Sequence, residues 1–150
     1  MFLEINNISI DSILSVVPKE KFEYSNNSNK ENKISRVARV IDVKSSFKAN
    51  SKVTTTDLFY DAAKKIIDKN KLNKNKIDIL ICVTQTPDYL MPSCSNIIHQ
   101  KLSLKQECLA YDINLGCSGY VYGLWNIMSL MEKSKMKKGI LLVGDTISKT

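Results

Sequence analysis

A chain of 150 residues is one domain's worth, long enough to bury a core, and 43% hydrophobic with 25% charged residues is the balance of a soluble globular protein. No uninterrupted apolar run is long enough to span a membrane, the N-terminus has no basic leader before an apolar core, and the formal charge of +7 comes without an aromatic-basic platform; membrane insertion, a signal peptide and nucleic-acid binding are therefore not expected. Cys82, Cys94, Cys108 and Cys117 form no Cys-x-x-Cys pair and His99 is the only histidine, so zinc-type spacing is absent, no metal is expected, and the setting is a reducing, cytoplasmic one.

Taken in order, Phe2, Ile5, Ile8 and Ile10 alternate loosely with polar residues, and residues 13–17 continue the pattern to Pro18, which predicts a first strand. Residues 25–32 are polar and turn-prone. Residues 34–43 read equally as a short helix or a strand. Thr54 followed by Asp57 has capping-box spacing, and Leu58, Phe59, Ala62, Ala63, Ile66 and Ile67 then recur at helical spacing, which predicts a helix from about residue 55 to 70. A basic, Asn-rich turn over residues 69–76 leads into the nearly continuous apolar run 77–84. That run predicts a strand covered on both faces.

Residues 85–92 carry Pro87 and Pro92 and exclude regular structure. A loop at the carboxyl end of a parallel strand is where α/β proteins place ligand sites, though a plain connection with an exposed Tyr or Met reads equally well. Pro92-Ser93 opens a helix with Ile97, Ile98 and Leu102 inward; His99 lies in it without an assigned role. Cys108-Leu109-Ala110-Tyr111 predicts a buried strand that runs into Asp112-Ile113-Asn114-Leu115-Gly116-Cys117-Ser118-Gly119-Tyr120. A helix from about Ser118 to Glu132 follows, with Val121, Leu124, Trp125, Met128 and Met131 at helical spacing. Lys137-Lys138-Gly139 then turns into a fourth buried strand over residues 140–143, with Gly144-Asp145-Thr146 at its end. Alternating strands and helices in this order predict a mostly parallel α/β sheet with helices on both faces. A chain that stops just after an interior-type strand reads as if more chain follows.

Gly116, Gly119 and Gly123 do not fit the dinucleotide pattern G-x-G-x-x-G, no phosphate loop is present, and no carboxylate pair suggests glycosidase chemistry. Lysines at 64–65, 69–76 and 133–138 suit a phosphate-bearing ligand or an acidic partner, and suit solvated helix faces better. What remains is Cys117. Its setting is that of a nucleophile elbow: a tight strand-to-helix turn that presents a side chain. Gly116 is expected to let the backbone turn sharply, and Gly119 to let the helix approach its neighbours. Free N–H groups and the macrodipole at a helix start favour a thiolate, and the N–H of Cys117 is placed to donate to a developing oxyanion. A buried, idle cysteine at a strand-helix junction is the competing reading. Cys82 and Cys108, inside apolar runs, are expected to be just that.

The stretch from Asp112 to Tyr120 resembles the active-cysteine motif of the 3-oxoacyl-acyl-carrier-protein synthase III family. Gln85-Thr86-Pro87-Asp88-Tyr89 with Pro92-Ser93 resembles the loop before that family's cysteine helix, and Leu141-Leu142-Val143-Gly144-Asp145-Thr146 its following strand, in collinear order. The resemblance implies a thiolase-like fold of two similar α/β halves, with residues 1–150 forming the N-terminal half that carries the active cysteine and the C-terminal half absent. It implies that Cys117 accepts an acyl group from an acyl-CoA thioester and that the acyl group condenses with malonyl-acyl-carrier protein as carbon dioxide leaves. Both are substrates; no cofactor is implied. The family's supporting His and Asn come from the other half, so these 150 residues are not expected to condense alone. The resemblance further implies a homodimer, acyl-carrier protein as partner and a place in cytoplasmic fatty acid and lipid metabolism. Met91, just before Pro92, matches a residue that lines the partner subunit's acyl pocket; an ordinary dimer-contact or core Met is the alternative. A non-catalytic carrier-binding or assembly module, or another thiolase-superfamily acyltransferase, is the rival for the whole.

Overall fold

A computed structural model describes residues 4–24 and 40–147. In chain order these form β1 (Glu20–Glu23), β2 (Ser45–Lys48), α1 (Thr55–Lys69), a 3-10 turn (Lys74–Lys76), β3 (Ile79–Val83), α2 (Cys94–Leu102), β4 (Leu109–Ile113), α3 (Gly119–Lys133) and β5 (Gly139–Val143). β1 and β2 make an antiparallel ribbon; β4, β3 and β5, in that spatial order, make a parallel sheet in which Ile79 stands level with both Leu109 and Gly139.

β3 is buried at all five positions because it alone has a strand on each side and helices above and below. Side chains alternate across a strand. Leu80 and Cys82 therefore join Phe59, Ala63 and Ile67 of α1 and Cys94, Ile98 and Leu102 of α2 on one face. Ile79, Ile81 and Val83 meet Ile127 of α3 on the other, with Met128, Met131 and Leu141 packed around them. This is the parallel α/β sheet with helices on both faces that the alternation of elements predicts.

Several expectations are corrected. Residues 4–18 hold no strand; β1 starts at Glu20. An alternating pattern supplies one apolar face but no ladder partner, and here Ile13 is 77% exposed while Ile8, Ile10 and Leu14 border a groove of about 400 Å³ with α1, α3 and β5. Phe2, the loop over residues 25–32 and most of the ambiguous segment 34–43 lie outside the described residues. β4 and β5, expected to be buried strands, are the two edges of the sheet: Leu109 is 39% and Val143 41% exposed. An apolar run does not say which strand takes the middle.

α1 begins where its local chemistry directs. Thr54 Oγ1 accepts the N–H of Asp57 and the Asp57 carboxylate accepts the N–H of Thr54, each at 3.1 Å, which satisfies two of the helix's unpaired donors. At the amino end of the sheet Asp78 joins three segments. Its carboxylate accepts the N–H groups of Lys137 (2.7 Å) and Lys138 (3.2 Å) and pairs with the Lys105 ammonium. Lys105 and the Lys137 N–H hold this carboxyl below the usual aspartate range, against the opposing pull of burial. The lysines of residues 69–76 and 133–138 lie in the connections at this end. Cys117 lies at the other.

Candidate active site

Three connections gather at the carboxyl ends of the strands. The ladder runs slightly past the strands: Thr84 N–H donates to the Ile113 carbonyl at 3.1 Å, and Gly144 N–H to the Val83 carbonyl at 3.2 Å. The segments 84–86, 114–118 and 144–147 are therefore held side by side.

Cys117 stands in the turn just before α3, next to the cap residue Ser118, whose side chain makes no cap bond. The turn closes through Gly119 N–H to the Gly116 carbonyl at 2.8 Å and Tyr122 N–H to the Ser118 carbonyl at 3.1 Å. Among the described residues the N–H of Cys117 has no hydrogen-bond partner, so it is open to an oxyanion. The Cys117 side chain is exposed; Cys82, Cys94 and Cys108 are buried. Burial pushes the Cys108 thiol up to about 11 and raises Cys94; it drives Cys82 far above the ordinary thiol range, with the nearby Asp112 charge adding to the shift. Buried neutral thiols are poor nucleophiles.

The glycines of the motif act through space. No glycine among the described residues has a positive φ, so the expectation that Gly116 is needed for a sharp backbone turn is corrected. A Cβ at Gly116 would instead lie 2.7 Å from Oε1 of Gln85, whose carboxamide covers this residue. A Cβ at Gly119 would lie 2.6 Å from Val83 Cγ1, and one at Gly123 2.7 Å from Val83 Cγ2. The two glycines, one helical turn apart, make a slot for the Val83 side chain, and the start of α3 rests directly on β3. The close approach expected of Gly119 is present.

The neighbouring connections are fixed by side chains. Asp112, at the end of β4, accepts the N–H groups of Cys94 and Ser95 at 2.8 Å each, so a carboxylate sits at the positive start of α2. Asp145 Oδ1 accepts Thr84 Oγ1 (2.8 Å), Gln85 N–H (2.8 Å) and Thr86 Oγ1 (3.2 Å). Thr86 Oγ1 also meets Thr55 Oγ1 at 3.0 Å, which meets Thr146 Oγ1 at 2.9 Å. Each hydroxyl has one proton to give. With the carboxylate as the final acceptor, the chain runs one way: Thr146 donates to Thr55, Thr55 to Thr86, and Thr86 to Asp145.

No family model matches the chain. A beta-ketoacyl-[acyl-carrier-protein] synthase III of Neisseria meningitidis serogroup A is 34% identical over 95 residues, 63% of this chain and 30% of that protein. One from Wolbachia pipientis wMel is 38% identical over 93 residues, 62% of this chain and 29% of that protein. The crystal structure of a 3-oxoacyl-(acyl-carrier protein) synthase from Burkholderia xenovorans LB400 superposes with a TM-score of 0.80 at 34% identity, over 89% of this chain and 39% of that one. Over the matched residues the chain is similar to 3-oxoacyl-acyl-carrier-protein synthases III. Its fold is the α/β arrangement of the thiolase-like synthases, and it spans about a third of the length of its curated relatives.

Cys117 and Met91 lie on connections at the same end of the sheet. Met91 is 81% exposed, beside exposed Tyr89 and Leu90. The groove under residues 8–14 touches neither. The sequence points to Cys117 through the motif around it. It places Gln85 and Asp145 in stretches that resemble the family, but gives neither a role; they lie about 30 residues on either side of the turn, and only the fold brings them to it. Among the described residues no helix is long and apolar enough to cross a membrane.

Proposed function

We propose that the chain carries the acyl-accepting part of a synthase III-type condensing enzyme, with Cys117 as the nucleophile. One observation carries this reading: of the four cysteines only Cys117 is exposed, on a strand-to-helix turn with its own N–H unengaged among the described residues.

The Cys117 sulfur attacks the carbonyl carbon of an acyl-CoA thioester, and the oxyanion that forms accepts the Cys117 N–H. The carbon–sulfur bond to CoA breaks, CoA leaves as a thiolate that takes a proton from water, and the acyl group stays on Cys117. Malonyl-acyl-carrier protein then loses carbon dioxide, and its carbanion attacks the acyl carbonyl. The bond to Cys117 breaks, the thiolate is restored and a 3-oxoacyl-carrier protein leaves. Decarboxylation supplies the carbanion, so the sequence of steps needs no cofactor. In this reading the chain is the N-terminal half of a two-half thiolase-like enzyme. The His and Asn that assist decarboxylation, and the second oxyanion donor, belong to the other half.

Met91 is then an acyl-pocket residue that reaches the partner subunit of a cytoplasmic homodimer. Its exposure and its soft, adaptable side chain support this, as do exposed Val121 and Trp125 on α3, an apolar face that a monomer leaves uncovered.

Iodoacetamide labelling at pH 8 with peptide mapping is the test. Cys117 is expected to label at least about tenfold faster than the three buried thiols. Equal and slow labelling of all four would favour the non-catalytic carrier-binding module. Release of 3-oxoacyl product by this chain alone would overturn the assignment of the decarboxylation residues to another half.

A further inference from the structure

We propose that Gln85 is a positioning residue for acyl transfer at Cys117, itself held in place by Asp145 on the opposite side of the strand ends. The inference rests on the reading of Cys117 as the acyl acceptor.

Gln85 leaves the buried central strand β3 and lies between two connections. On one side its backbone N–H donates to Asp145 Oδ1 at 2.8 Å, and the flanking hydroxyls of Thr84 and Thr86 donate to the same oxygen. Thr86 N–H also donates to Thr84 Oγ1 at 3.0 Å, and Thr146 N–H to Thr86 Oγ1 at 2.9 Å. The backbone of Gln85 is thus tied on both flanks to the segment after β5. On the other side the Gln85 carboxamide lies over Gly116, with Oε1 2.7 Å, Cδ 3.2 Å and Nε2 3.5 Å from where a Cβ would be. Among the described residues that carboxamide makes no hydrogen bond, so it acts here by contact.

The contact falls at a consequential place. The peptide unit that joins Gly116 to Cys117 carries the N–H aimed at the oxyanion. Its plane sets where that donor points, and hydrogen-bond donors to oxyanions work only within a narrow geometry. The exposed Gln85 carboxamide lies over that plane at Gly116 and narrows its swing on this side. Gln85 therefore governs the donor's direction without touching the reacting atoms.

Two reactions of the same thiol separate this role from a general one. Acylation by a thioester passes through an oxyanion. Alkylation by iodoacetamide is a direct displacement at carbon and forms none. For the 150-residue chain, the rate of Cys117 acylation by acetyl-CoA, followed by intact mass, is compared with its rate of iodoacetamide alkylation. Gln85→Ala is expected to slow acylation about tenfold or more and to leave alkylation within about twofold. Gln85→Met keeps the length of the side chain without the amide and is expected to restore acylation to within about threefold of the parent. Asp145→Asn, which weakens the charge-assisted bonds to the Gln85 backbone, is expected to fall between them. Equal slowing of both reactions in Gln85→Ala would overturn the proposal, since it would mark an effect on the thiol or the fold. Unchanged acylation would also overturn it. Acylation that falls on another cysteine, or that persists in Cys117→Ser, would refute the acyl-acceptor reading, and this inference would fall with it.

Discussion

Gly119 and Gly123 give the sharpest test of how the cysteine turn is seated. A Cβ at Gly119 would come within 2.6 Å of Val83 Cγ1, whereas carbon atoms pack at about 3.5–4.0 Å. Roughly 1 Å must be found, and Val83 has nowhere to go. It is 1% exposed, and its other methyl already faces Gly123. Overpacking of this kind costs about 1–3 kcal/mol, against a gain of up to about 1 kcal/mol from replacing a helical glycine by alanine. Gly119→Ala is therefore expected to lose about 1–2 kcal/mol, a fall in Tm of about 3–6 °C for a chain of this size. The double variant with Val83→Ala separates overpacking from other causes. Removing the valine methyls makes the room that the new Cβ needs, so the two losses should sum to less than additive by about 1 kcal/mol or more. Thermal unfolding of the parent, both single variants and the double closes the cycle. Additive losses, or a Gly119→Ala variant more stable than the parent, would refute the close seating of α3 on β3.

Two further perturbations test the supports around the site. Asp112→Ala removes the acceptor for two N–H groups at the start of α2 and is expected to cost about 2–3 kcal/mol in urea unfolding; a loss under about 0.5 kcal/mol would show that water replaces the carboxylate without penalty. Asp78→Asn is expected to cost about 2 kcal/mol at neutral pH. Because the folded-state carboxyl titrates lower than in the unfolded chain, its contribution is present above about pH 4 and is lost as pH falls through the folded-state value. The gap between parent and Asp78→Asn should therefore narrow in acid, and an equal gap at pH 7 and pH 3 would contradict the ion-pair account.

Much of this architecture is local in origin, and local features read well from sequence. The Thr54–Asp57 capping box, the helical spacing after it and the apolar run of β3 each carry their own signal within a few residues. The errors come where the deciding contact is remote. Residues 4–18 alternate as a strand would, but a strand also needs a neighbour, and none is encoded in the alternation. β4 and β5 look like β3 in composition; only the order β4-β3-β5 makes them edges. Gly116 looks like a turn residue, yet its φ is not positive and the Gln85 carboxamide lies over it. The same remoteness hides the Asp145 network, whose partners are joined across about 60 residues of chain. The motif around Cys117 marks the thiol, while the contacts of Gln85 and Asp145 become visible only when the strand ends are brought together.

The central claim is that Cys117 accepts an acyl group from a thioester. Incubating the chain with acetyl-CoA, then measuring intact mass and mapping the modified peptide, tests it directly. The expected result is a single acetyl group on Cys117, removed by hydroxylamine and absent from Cys117→Ser. An acyl group gained on Cys82, Cys94 or Cys108 instead, or still gained by Cys117→Ser, would contradict the account.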